Sequence, residues 1–272
     1  MQAFELSPTA LISSVWRHRS LLASLVQREV LGRYRGSVLG LAWSFFTPLL
    51  MLSVYTFVFG VIFKARWGSG AESRTEFALV LFVGMMVFNL FAECLSRAPS
   101  LVLANPNYVK RVVFPLEVLP WVTEAAALFH LGVSLLVWLV AHLLLLGTPP
   151  ATALLLPAVI LPLLLFTLGA SWLLASLGVY LRDVGQFINI LITVLMFLAP
   201  VFYPATAVPE SLRGWLYASP LTLPIEMARD VLYWGRLPNG GLWLASLAAG
   251  GLVAWAGFAW FQKTRKGFAD VL

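Results

Sequence analysis

Residues able to carry covalent or acid–base chemistry are few in this chain, and none is spaced for it. The three histidines, His18, His130 and His142, are scattered, whereas a metal site needs ligands at short, paired spacing. Cys94 is the only cysteine, which rules out an intrachain disulfide or a thiolate cluster. Asp183, Asp230 and Asp270 lie far apart, so the paired-aspartate signature of many metal-dependent glycosyl transferases is missing. No lysine follows a glycine, so there is no GxxxxGK[ST] loop to cradle nucleotide phosphates. The expectation is a chain with no catalytic, cofactor or metal site, whose energy source sits in another subunit.

What remains is a small set of polar and aromatic residues inside apolar stretches. Glu93 has Arg97 four residues on, a pair able to snorkel together. Glu124 is a candidate buried carboxylate. Proton-coupled transport normally needs more ionisable groups at mid-membrane than this. Tyr55, Phe59 and Phe63 are four apart and share one helix face; Gln186, Asn189 and Thr193 form a short polar stripe. Aromatic rings offer flat faces to sugar rings, and a sliding carbohydrate can exchange such contacts. Core packing for the aromatics and interhelical hydrogen bonds for the stripe are the open alternative.

The elements that must position these residues follow from composition. Hydrophobic residues make up 60% of 272 positions and charged residues 11%, far below the roughly 25% charge of a soluble domain. Apolar blocks at 37–63, 77–95, 118–146, 152–180, 185–203 and 242–261 are each near the roughly 20 residues that cross a 30 Å hydrocarbon layer. The reading is an all-α integral membrane protein of six transmembrane helices. Pro157 and Pro162 fall early in the fourth block, where a missing N–H costs least. The opening MQAFELSPTA lacks the basic-then-apolar order of a signal peptide. Six spans put twelve Lys and Arg on one side, including Arg28, Arg33, Arg35, Arg97, Lys110, Arg111 and Arg182, against six on the other. The positive-inside rule then makes both termini cytoplasmic. The net charge of +6 follows this topology and needs no nucleic-acid partner.

Three segments are not spans. Residues 9–35 repeat apolar positions at helical spacing between Arg17, Arg19 and Arg28, which predicts an amphipathic helix at the membrane interface. Residues 98–112 are too polar to span and too apolar for a free linker, which predicts a cytoplasmic helix in need of a partner, interrupted at Asn105-Pro106-Asn107. Residues 205–236 predict two short periplasmic re-entrant helices, about 208–217 and 222–234, split at Ser219-Pro220, with Glu226 and Arg229 able to pair locally.

The blocks QREVLGRYRGSVLGLAWSFFTPLLMLSVYTFVFGVIFKAR, NYVKRVVFPLEVLP, YLRDVGQFINILITVLMFLAPVFYP and SPLTLPIEMARDVLYWG, in this order, resemble the permease subunits of polysaccharide ABC exporters. These are the Wzm-like O-antigen, capsular and teichoic-acid branch of the type-2 ABC exporters. The resemblance implies a homodimer in the bacterial inner membrane, joined to two copies of a separate ATPase that binds ATP and Mg. It implies that 98–112 is a coupling helix with Asn107, Tyr108, Lys110 and Arg111 at the ATPase contact. It implies that 9–35 is a gate helix, so Arg33, Tyr34, Arg35 and Arg182 are candidates for the phosphate headgroup of a lipid-linked polysaccharide. Tyr55, Phe59, Phe63, Asn189 and Thr193 become candidates for the lining of a channel. The competing readings are a drug or lipid exporter of the same superfamily and a membrane enzyme acting on lipid-linked sugars.

Overall fold

The computed structural model describes residues 7–62, 67, 74–109 and 114–271. All regular structure in these residues is helical. The amphipathic segment forms α1 (Pro8–Arg17) and α2 (Arg19–Arg33), separated by a kink at His18. The first apolar block enters through a turn at Gly40–Ala42, becomes α3 (Trp43–Tyr55) and continues as π-helical turns over Thr56–Ile62. Then follow α4 (Arg74–Arg97), the single turn α5 (Pro106–Val109), α6 (Val118–Leu145), α7 (Leu156–Tyr180) and α8 (Val184–Leu198). The chain ends with α9 (Glu210–Ala218), α10 (Thr222–Arg229), α11 (Gly240–Thr264) and α12 (Phe268–Val271).

Among the described residues five helices are long and apolar enough to cross a membrane: Gly40–Phe59, Thr75–Ser100, Val118–Leu145, Ala151–Tyr180 and Gly240–Val271. The fifth expected span, 185–203, is the exception. Its helix is only 15 residues, Val184–Leu198, about 22 Å at 1.5 Å per residue. Pro200 is the reason: the residue before a proline is pushed out of the helical region, and Ala199 sits at φ −76° and ψ 152°. α8 therefore stops short of a full crossing.

α4 is the central post. Its apolar residues run all round the helix, the pattern of a helix buried on every side, and from Phe77 to Leu95 nearly every one is buried. Trp138 of α6 donates its indole N–H to the Leu79 carbonyl of α4 (3.0 Å). α3 and α8 lie at the rim and leave Phe45, Phe46, Leu50 and Phe57, and Phe187, Ile190 and Phe197, exposed. Such faces suit lipid or another apolar surface.

α7 and α11 pack through glycine. In a bilayer helices gain little from burying apolar surface, so close approach and hydrogen bonding hold them together. A Cβ on Gly169 would fall on the Val253 carbonyl, and one on Gly257 on the Gly169 carbonyl. Pro162 lies inside α7 and cannot donate to the carbonyl four residues back, Ala158. Trp243 of α11 donates to that oxygen instead, at 2.9 Å. At the base, Arg265 pairs with Glu117 at 2.7 Å, and Trp172 donates to the Glu117 carbonyl at 3.1 Å.

α2 does not stand apart from this bundle. Leu25 packs on Val118 and Val122, and eight residues later Arg33 Nη1 reaches the His130 ring (3.1 Å from Nδ1, 3.4 Å from Nε2). The constant register shows α2 and the first turns of α6 running side by side in the same direction. The amphipathic helix thus climbs along a span, and part of its apolar stripe is covered by protein.

Candidate functional site

The helices that line the main cleft each contribute one face. α3 presents Ser44, Thr47, Met51 and Tyr55; α4 presents Met85, Met86, Asn89, Glu93 and Arg97. α6 adds Ala127, His130 and Ser134, α8 adds Asn189 and Thr193, and the end of α2 adds Arg33 and Tyr34. Apart from the adjacent Met85–Met86 and Arg33–Tyr34, these sets recur at three- and four-residue steps, the spacing of one helical face. The cleft encloses about 690 Å³, and its hydroxyls and amides are unusual in a molecule this apolar. Ionisable side chains at a cleft among spanning helices, here Arg33, Glu93, Arg97 and His130, point to a substrate path.

One end of the cleft is ionic. The Glu93 carboxylate accepts from Arg33 Nη2 (2.8 Å) and His130 Nδ1 (3.0 Å), with Arg97 Nη1 at 3.8 Å. Arg97 also bonds Glu29 of α2. Tyr34 lies 3.3 Å from His130 Nε2, so a tautomer protonated at Nδ1 donates to Glu93 and accepts from the phenol. The cluster therefore joins α2, α4 and α6. Glu93 is the hub, its side chain only 14% exposed.

The candidate residues separate into groups. Arg33, Tyr34, Tyr55, Asn189 and Thr193 come together around this one cleft. Arg35 and Arg182 are exposed and line no part of it. Phe59 turns away, stacking on Phe202 (5.7 Å between centroids) and close to Phe77 (6.0 Å). Asn107 is exposed on α5. Tyr108 stacks on Phe114 at 4.0 Å and accepts a hydrogen bond from Arg28 (2.7 Å). Phe63, Lys110 and Arg111 lie outside the described residues. The segment after α4 is two short turns around Asn105, not one continuous helix. Gly178 of α7 meets the Pro99 carbonyl, fixing this segment to the bundle.

Two features escaped the sequence. Glu93 was legible as a partner of Arg97, but its contacts with Arg33 and His130 bridge more than 35 residues and have no local signature. Arg229 pairs with Glu226 as its spacing suggests (2.9 Å), yet its main role is distant. It is 1% exposed and donates to the carbonyls of Val80 (3.2 Å), Pro200 (2.6 Å) and Val201 (2.7 Å). Its guanidinium also lies 4.2 Å from the Trp67 ring centre. Burial pushes its pKa down to about 10, with Glu226 opposing, so it stays charged at neutral pH. This side chain pins α10 to α4 and to the broken end of α8.

The sequence profile of the ABC-2 type transporter family matches residues 20–233. An O-antigen export system permease protein, RfbA, of Myxococcus xanthus is 30% identical over 262 residues, covering 96% of this chain and 98% of that protein. Two proteins of the same name from Klebsiella pneumoniae are 25% and 24% identical, each over 93% of this chain and 95% of their own length. The matched region runs from α2 through α10 and takes in every helix that lines the cleft. With its multi-pass apolar helices and end-to-end similarity to these permeases, the chain belongs to the ABC-2 type transporter family.

Proposed function

We propose that this chain is the permease subunit of an ATP-driven exporter of lipid-linked polysaccharide, most simply an O-antigen, in the bacterial inner membrane. The observation that carries the reading is the 30% identity to an O-antigen export permease over 96% of the chain. Two permease copies and two copies of a separate ATPase make the working unit, with both termini cytoplasmic. α8 is the fifth of six crossings, and the short helices α9 and α10, too short to span, form the re-entrant periplasmic rim.

The chemistry of the cleft supports this reading. A glycan of many sugars cannot be enclosed in about 690 Å³, so stepwise passage fits better than one closed pocket. Ser44, Thr47, Asn89, Ser134, Asn189 and Thr193 offer hydroxyls and amides that exchange hydrogen bonds with a moving sugar chain, and Tyr55 offers a ring face. The exposed faces of α3 and α8 are where the second copy closes the channel. Arg33, Arg35 and Arg182 attract the phosphate end of the carrier, and Asn107, Tyr108, Lys110 and Arg111 meet the ATPase.

The test is genetic. Deleting the gene removes the long-chain surface glycan and leaves its lipid-linked precursor inside the cell, and the wild-type gene restores both. A deletion strain with an intact surface glycan profile refutes the reading.

A further inference from the structure

The ionic end of the cleft has the form of an anion site that already holds an anion. A guanidinium, an imidazole N–H and a second guanidinium converge on one carboxylate: Arg33 at 2.8 Å, His130 at 3.0 Å and Arg97 at 3.8 Å from Glu93. Among the described residues the further charged group on this cluster is Glu29 of α2, on Arg97, and the neutral one is Tyr34, on His130. All but Glu29 line the cleft. Forked guanidinium donors beside an N–H match the oxygens of a phosphate at least as well as those of a carboxylate. Glu93 is fixed to α4, so its bond to Arg33 also ties down the last turn of α2. Beyond that turn the backbone is left-handed at Gly36 (φ 83°) and Gly40 (φ 52°), a conformation that glycine adopts without steric cost, so α2 and α3 are joined by turns and not by one continuous helix.

We infer that Arg33, Arg97 and His130 form a phosphate- or diphosphate-binding site, and that Glu93 occupies it at rest, latching α2 against α4 and α6. An arriving phosphate group takes the cations from Glu93 and releases α2. The inference rests on the lipid-linked substrate proposed above. It places the bound headgroup inside the cleft, past the exposed Arg35 and Arg182 that first attract it.

Hydrogen exchange across residues 19–36 tests it, with the permease and its ATPase together in lipid nanodiscs. Glu93→Gln removes the resident charge, and exchange should rise about tenfold, equivalent to about 1.4 kcal/mol, with nothing added. In the wild type, polyprenyl diphosphate placed in the nanodisc should give the same rise. Inorganic pyrophosphate in the buffer is the parallel arm. A rise with the lipid alone identifies a membrane-borne headgroup, and a rise with pyrophosphate as well identifies a site open to free phosphate; both support the site. If Glu93→Gln exchanges like wild type, the latch is wrong. If Glu93→Gln is released but neither diphosphate shifts the wild type, the latch stands and the phosphate site falls. The proposed transport function would fail separately, through the surface glycan of the deletion strain. Should Glu93→Gln not assemble, Arg33→Gln breaks the same pair from the other side. Its side chain is 39% exposed, and it should show the rise but no further response to diphosphate. A diphosphate response kept by Arg33→Gln overturns the assignment.

Discussion

Replacing Arg229 by methionine should cost far more than any surface charge in this protein. Methionine fills much of the same space, so the loss is chiefly one of hydrogen bonds. The Val80 carbonyl lies within α4 and keeps its helical donor, so little is lost there. The carbonyls of Pro200 and Val201 lie beyond the end of α8, and Arg229 is their side-chain donor. Each buried acceptor left without a partner costs about 1–3 kcal/mol, about 2–6 for the two. The cation over Trp67 adds about 0.5–2. Glu226 is 30% exposed and rehydrates at little cost. The total is roughly 3–8 kcal/mol, enough to lower the midpoint of unfolding by about 6 °C or more for a chain of this size. Arg229→Lys keeps the charge but replaces a planar fork by a point donor and should fall between the two. The assay is thermal unfolding of the purified complex in detergent, followed by tryptophan fluorescence, with hydrogen exchange over residues 199–209. If Arg229→Met melts within 2 °C of wild type and this loop exchanges no faster, the keystone role is refuted.

Gly257→Leu places a side chain on the Gly169 carbonyl and should abolish monodisperse protein in size-exclusion chromatography, whereas Gly251→Leu, which meets nothing within 4 Å, should not. Trp243→Phe leaves the Ala158 carbonyl without the donor that Pro162 cannot supply. It should lower stability by about 1–3 kcal/mol, and no loss of melting temperature would show that the carbonyl finds another donor. Arg28→Ala and Tyr108→Phe should couple in a double-mutant cycle by about 0.5–1.5 kcal/mol, as one hydrogen bond should. Strict additivity of their melting shifts would mean that α2 and the segment after α4 are independent.

Composition and spacing determined much of this protein on their own. Blocks of about twenty apolar residues point to spans, because hydrocarbon leaves a backbone no partner but itself, and the five long helices cover their expected places, the last running on to Val271. The kink near Ser219-Pro220 was legible because proline acts locally. Pro200 carried the same signal for the end of α8, yet apolar residues on both sides masked it. The site was only half legible. Helical periodicity placed Asn189 with Thr193, and Glu93 with Arg97, on common faces, since i and i+4 meet in any helix. Nothing local could bring Arg33 to Glu93 and His130, or Arg229 to Pro200 and Val201. Those contacts depend on which helices are neighbours and at what register. That choice belongs to packing: glycine at the α7–α11 crossing, and α2 rising beside α6. The sequence alone determined that the chain lives in a membrane. The tertiary structure alone decided that its few charges meet, because long-range ion pairs form only after the spans between them have packed.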